Sequence, residues 1–195
     1  EGTASGDGEK YRWIVDPLDG TTNFMHGVPP YSVSIALKEG KEILLGVIYI
    51  ASSGELFHAI SGCGAWLNGK KISTSGAESV SNSLIATGFP YRNFTRLGGF
   101  MKCLEHFIRN SHGVRRMGSA AVDLAFVACG RFDAFFEYNL NPWDVSAGIL
   151  LVREAGGRVS DFSGNEDDLT GMETVATNGH IFDEFSGIVG RFMKE

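Results

Sequence analysis

Turn signals cut the first third of the chain into short runs that alternate apolar and polar residues, and this pattern admits little besides an antiparallel sheet. Tyr31 to Leu37 alternates Tyr, Val, Ile and Leu with Ser and Ala, as a half-buried strand does. Glu39-Gly40 turns into Ile43–Ile50, Ser52-Ser53-Gly54 turns into Leu56–Ile60, and Asn68-Gly69 is a strong hairpin signal. Upstream, residues 11–15 (YRWIV) read as a short buried strand. Pro17 has no N–H to give a ladder, so a turn is expected directly after Asp16.

The pattern then changes. Leu97, Phe100, Met101, Leu104, Phe107 and Ile108 recur at helical spacing. Val114–Met117 reads as a short strand, and Ser119 is placed to cap a nearly all-apolar helix running to Cys129. Phe132–Tyr138 is a further strand. Pro142 to Ala155 is a helix stopped by Gly156-Gly157. A last strand surrounds Val175, and a final amphipathic helix carries Ile181, Phe185, Ile188, Val189 and Phe192. The expected fold class is therefore α/β, a layered sandwich of helices and mixed sheets. It divides into an antiparallel-sheet subregion over residues 1–90 and an α/β subregion over 91–195, forming one compact unit.

Composition narrows the function. At 195 residues and 43% hydrophobic the chain can bury a full core. A net charge of −6 argues against a nucleic-acid partner, which calls for a basic field. Three scattered cysteines, Cys63, Cys103 and Cys129, have no metal spacing and suit a reducing, cytoplasmic setting. The longest apolar run, Ile43 to Ala51, is far short of the ~20 residues that span a bilayer, so no membrane partner is expected.

Chemistry concentrates in two stretches. In Trp13-Ile14-Val15-Asp16-Pro17-Leu18-Asp19-Gly20-Thr21-Thr22-Asn23-Phe24, a strand delivers Asp16 at a sheet edge and Asp19 follows three residues later. Two carboxylates with the Leu18 carbonyl between them make a hard, oxygen-only ligand set suited to Mg²⁺. Gly20 and Thr21 follow, where free amides at the start of a helical turn could hold an anion. An isolated D-x-x-D-G is most often an ordinary turn. Here a second stretch answers it, Asn141-Pro142-Trp143-Asp144-Val145-Ser146-Ala147-Gly148, in which Asp144 is either a helix-capping carboxylate or a third ligand. Trp143 can wall such a site, and Ala147 and Gly148 can let the helix pack closely behind it. Asp123, alone on an apolar helix, is expected to pair with Arg115 or Arg116. Arg153 and Glu154 read as a solvated helix end, and the five histidines have no metal spacing.

DPLDGTTNF together with PWDVSAGILLVREAGG resembles the two signature motifs of the inositol monophosphatase family, and GSAAVDLAFVACGRFDAFFE between them is similar as well. The resemblance covers essentially the whole chain. It implies a Mg²⁺-dependent phosphomonoesterase acting on a small phosphorylated polyol or sugar, inositol 1-phosphate foremost, through a metal-activated water and no covalent intermediate. It assigns Asp16, Leu18, Asp19 and Asp144 to the metal, and Thr21 with Asp19 to catalysis. Gly20, Thr21, Gly118, Ser119, Ala120, Glu137 and Asp144 fall to substrate binding. Fructose 1,6-bisphosphate, histidinol phosphate and 3′-phosphoadenosine 5′-phosphate are the alternative substrates, a regulatory RNA-machinery accessory is the alternative of another class, and a homodimer is the family's usual assembly. Glu1 stands where the family carries a Glu-Glu pair, as either the metal ligand or its neighbour.

Overall fold

The computed structural model describes residues 3–5, 10–91, 93–167 and 169–194, so Glu1 lies outside the described residues. Two sheets form, one after the other along the chain. The first is a seven-stranded antiparallel meander: β1 (Thr3–Ser5), β2 (Tyr11–Asp19), β3 (Ser32–Glu39), β4 (Glu42–Ile50), β5 (Glu55–Ile60), β6 (Gly64–Leu67) and β7 (Lys70–Ile72), paired in that order. The hairpin expected at Asn68-Gly69 joins β6 to β7, with φ of 48° and 76° at its two residues. The short helix α1 (Thr21–Met25) interrupts the meander after β2.

The second sheet contains β8 (Leu84–Thr87), β9 (Gly113–Arg115), β10 (Ala134–Tyr138), β11 (Arg158–Ser160) and β12 (Glu173–Thr177), ordered β11-β12-β10-β8-β9. β10 runs parallel to β8 and β8 parallel to β9, while the pairs made by β12 are antiparallel. β8 and β11 carry no clear alternation in the sequence. Because β8 joins this sheet, the change from first to second sheet falls between Ile72 and Leu84 rather than near residue 90.

Two helices lie between the sheets, α3 (Ala120–Ala128) and α4 (Pro142–Glu154). Their residues explain the placement. α3 is apolar on every side apart from Asp123, and α4 is buried continuously from Asp144 to Val152, as suits a helix with protein all round it. One core joins the inner face of the first sheet (Ile14, Ala36, Ile48, Phe57) to these helices and to Ala86, Phe135 and Ala176 of the second. A second core lies on the other face of the second sheet, where Ile85, Ala134, Phe136 and Val175 meet α2 (Leu97–Asn110) and α5 (Phe182–Met193). Phe107 of α2 stacks on Phe185 of α5 there, with centroids 4.9 Å apart. The order is sheet, helices, sheet, helices: the layered α/β sandwich.

The outward row of the first sheet is also apolar. Trp13, Leu37, Leu45 and Ile60 stand side by side across four strands, with Trp13 and Ile60 about half exposed. No helix among the described residues is long and apolar enough to cross a membrane.

Two expectations are corrected here. Glu154 is not a solvated helix end: its carboxylate accepts the amides of Gly62 (2.8 Å) and Gly64 (2.7 Å), tying the β5–β6 hairpin to the end of α4. Asp123 pairs with neither Arg115 nor Arg116. It is 1% exposed and its Oδ1 has no hydrogen-bond partner. Burial, with the charges of Glu137 and Asp19 added, pushes its carboxyl well above the usual range, and the more distant pull of Arg116 does not offset this. A neutral carboxyl needs no ion pair.

Candidate metal and phosphate site

The strand expected to stop at Asp16 continues to Asp19, and the reason matters for the chemistry. Residues three apart on a regular strand face opposite sides. In β2, however, Asp16 pairs with Ser34 and Asp19 with Ser32, so β2 spends three steps where β3 spends two. The extra residue is a β-bulge, and it resets the alternation so that both aspartates turn to the inner face. Pro17 sits inside the bulge, where its missing N–H costs no ladder bond.

Asp144 reaches the same place from the first turn of α4. Carboxylate oxygens of Asp16, Asp19 and Asp144 all lie within 4.8 Å of one another. Each aspartate spends an oxygen on a hydrogen bond that fixes its rotamer, local for Asp16 and Asp144 and from the start of α3 for Asp19. Asp16 Oδ1 accepts from Leu18 N (2.9 Å). Asp144 Oδ2 accepts from the Asn141 amide (2.7 Å) and side chain (3.2 Å), so it caps its helix and faces the site as well. Asp19 Oδ2 accepts from Ser119 Oγ (2.5 Å) and Ala121 N (2.9 Å) at the start of α3.

Three carboxylates held this close repel one another. Burial, then the charges of Asp144 and Asp16, push Asp19 up to about 7 against the pull of its hydrogen bonds. Burial and the adjacent Asp16 push Asp144 up to about 6. Such a cluster fits a cation. Its donors are all hard oxygens, which suit a magnesium-like ion, and Leu18, in the bulge, lines the same cleft, so its carbonyl could join them. That carbonyl also accepts the Thr21 hydroxyl at 3.0 Å.

Gly20 closes the turn between β2 and α1 at φ 83°, and a Cβ there would lie 3.0 Å from Pro30 O and 3.4 Å from Gly118 O. The first motif thus packs directly on the Gly118-Ser119-Ala120 turn. Asn23, to which the sequence reading gave no role, locks the contact: its Nδ2 donates to Pro30 O and to Met117 O, both at 2.8 Å. Its burial could not be read from a polar residue in a turn.

The three aspartates, Leu18, the Gly20-Thr21-Thr22 turn and Gly118-Ser119-Ala120 line a cleft of about 450 Å³ with Gly88, Tyr91, Arg116, Glu137, Leu140, Asn141 and Trp143. Glu137 is not on the outer surface. Ala134, Phe136 and Tyr138 of β10 face the outer core, so Phe135 and Glu137 face the helix layer. Its carboxylate lies over Gly88, where a Cβ would meet Oε1 at 1.9 Å. Burial, then the charges of Asp19 and Asp144, raise it to about 8 although Arg116 pulls the other way. Ser119 caps α3 and is turned toward Asp19. Gly88, Tyr91 and Arg116 have no local signal in the sequence, because they reach the cleft only when β8 pairs with β10 and β9 with β8. A smaller cleft, about 180 Å³, lies beside Asp161, Thr170 and Glu173. Of its three carboxylates, Asp161 is engaged by Asn165 and Glu173 by Arg96, and Asp167 is exposed to solvent.

The chain is similar to several known proteins along most of its length. A "Nus factor SuhB" of Pseudomonas aeruginosa is 45% identical over 180 residues, 91% of this chain and 66% of that protein. An "Inositol-1-monophosphatase" of Mesorhizobium japonicum is 45% identical over 177 residues, again 91% of this chain and 66% of that protein. This chain therefore spans about two thirds of the length of these relatives. Among solved structures, the extragenic suppressor protein suhB of Bartonella henselae superposes with a TM-score of 0.89 at 43% identity, covering 94% of this chain and 70% of that one. The profile of the inositol monophosphatase family matches residues 1–188, and the chain belongs to that family.

Proposed function

We propose that this chain is the metal- and phosphate-handling part of a Mg²⁺-dependent phosphomonoesterase that hydrolyses a small phosphorylated polyol or sugar, inositol 1-phosphate foremost. One observation carries the reading: three aspartates from β2 and α4 converge within 4.8 Å beside the Gly20-Thr21 turn. Asp16, Asp19, Asp144 and the Leu18 carbonyl would hold the metal, and Mg²⁺ bound there would supply charge neutralisation for the phosphate, a lowered pKa for water and stabilisation of the leaving oxygen.

The chain's own residues do the rest. The amides of Gly20 and Thr21 receive phosphate oxygens. The Thr21 hydroxyl donates a hydrogen bond to Leu18 O, which leaves the Oγ lone pairs to accept from a water and aim it at phosphorus. Glu137, whose raised pKa keeps much of it protonated near neutrality, can both donate to and accept from a polyol hydroxyl. Gly118, Ser119 and Ala120 form the small-residue floor beneath that hydroxyl. A cytoplasmic homodimer is the assembly that goes with this function.

The name of the Pseudomonas relative, a Nus factor, keeps a non-catalytic regulatory or RNA-machinery accessory as a second reading. Two measurements separate them. Asp144→Asn is expected to abolish Mg²⁺-dependent release of phosphate from inositol 1-phosphate while preserving the fold by circular dichroism. Undiminished turnover in that variant refutes the assignment, and a wild-type chain that binds no Mg²⁺ by calorimetry favours the regulatory reading.

A further inference from the structure

Four carboxylates line the cleft, Asp16, Asp19, Glu137 and Asp144, and among the described lining residues Arg116 is the single cation. The three aspartates form the metal end. Arg116 belongs to the segment that enters α3, and its Nη1 lies 2.6 Å from where a Cβ on Gly118 would stand. Its guanidinium rests over the Phe89 ring, 5.5 Å from the centroid. That contact supports one face of the group and leaves its N–H edge open. No described carboxylate forms an ion pair with it: Arg96, Arg131 and Arg158 each have an acidic partner, Arg116 none. Arg116 is exposed at the cleft, beside Tyr91 and across from Glu137.

An unpaired guanidinium in an otherwise acidic cleft is suited to a planar anion. Its fork of N–H donors matches phosphate or carboxylate oxygens in a bidentate way that a hydroxyl does not. The metal-end phosphate is already provided for by the aspartate cluster and the Gly20-Thr21 turn. We propose that Arg116 binds a second anionic group of the substrate, at the end of the molecule away from the scissile phosphate. Sugar or polyol phosphates with a second phosphate or a carboxylate are then held at both ends, whereas inositol 1-phosphate is held at its phosphate end alone. This rests on the phosphatase reading above and adds a class of substrate to it.

The test compares wild type, Arg116→Gln and Arg116→Lys on three phosphomonoesters: sorbitol 6-phosphate, with a neutral far end; fructose 1,6-bisphosphate, with a second phosphate; and 6-phosphogluconate, with a carboxylate. Losing a charge-assisted hydrogen-bonding partner weakens binding by about 10- to 100-fold. In Arg116→Gln, KM is expected to rise at least tenfold for one or both doubly anionic substrates. Their kcat is expected to hold, and sorbitol 6-phosphate to shift less than twofold. Arg116→Lys, which keeps the charge and loses the fork, falls between. A rise confined to the bisphosphate identifies phosphate as the second group, and one confined to 6-phosphogluconate identifies a carboxylate. Equal effects on all three substrates, or none, overturn the role of Arg116 and leave the phosphatase reading standing. No Mg²⁺-dependent hydrolysis of any phosphomonoester by wild type overturns both.

Discussion

The seating of α4 decides whether Asp144 can meet the other two aspartates, and one methyl group tests it. Ala36, Gly46 and Ala59 stand in one cross-strand row of the first sheet, and Ala65 extends it. Over this shallow row lies the backbone of Ala147. A Cβ on Gly46 would come 2.8 Å from Ala147 O and 3.0 Å from Ala147 Cα, about 0.6 Å short of the 3.4 Å at which ordinary contact begins. The helix cannot simply back away. On its far side Gly148 abuts α3, where a Cβ would already meet Leu124 Cβ at 2.5 Å. Gly46→Ala is therefore expected to cost about 1–3 kcal/mol, the usual range for overpacking a tight core. Asp144 lies one turn from Ala147, so it moves with the helix. Because Mg²⁺ tolerates little departure from octahedral ligand positions, its affinity is expected to fall on the order of tenfold. Urea unfolding without metal reads the first quantity, and calorimetric Mg²⁺ titration reads the second. Gly187→Ala is the control, in an exposed mid-helix position of α5 with nothing within 4 Å of the added carbon. It is expected to stabilise by about 0.5–1 kcal/mol. If Gly46→Ala unfolds at the wild-type midpoint and binds Mg²⁺ as tightly, the claim that a backbone clearance positions Asp144 is wrong.

Two further outcomes follow from hydrogen bonding and burial. Ser119→Ala removes a donor to Asp19 Oδ2 and the cap of α3. Stability is expected to fall by about 1 kcal/mol and Mg²⁺ affinity by about 10- to 100-fold, with Ser119→Thr restoring both; an unchanged calorimetric titration in Ser119→Ala would show that the bond does not orient the ligand. Asp123 is raised by burial, so above pH ~4 the folded chain holds a proton that the unfolded chain has released, and this contribution to stability is lost as pH rises toward the folded pKa. Asp123→Asn removes that dependence. Its stability relative to wild type is expected to rise with pH, by at most about 1.4 kcal/mol per unit, and parallel curves of unfolding free energy against pH would contradict a protonated Asp123.

Much of this protein is legible in the residues themselves, because the deciding interactions are local. The Asn68-Gly69 hairpin, the cap at Ser119 and the helix from Pro142 depend on neighbours a few positions away, and each stands where the sequence puts it. The D-x-x-D-G stretch is recognisable for the same reason. Other features depend on contacts between distant segments, and there local reading fails. Pro17 reads as a stop, yet pairing with β3 converts it into a bulge, and that bulge is what turns Asp16 and Asp19 to one side. Glu154 reads as solvated until the β5–β6 hairpin offers it two amides, and Asp123 reads as an ion pair until burial makes the neutral carboxyl cheaper than a charge. Arg116 and Gly88 mean nothing in isolation. They become part of a cleft because β9, β8 and β10 lie parallel in one sheet, so the residues that follow β8 and β9 leave it on the side where Glu137 of β10 stands. Sequence determined which groups could bind metal and phosphate; packing of a rigid helix between two sheets determined that they meet.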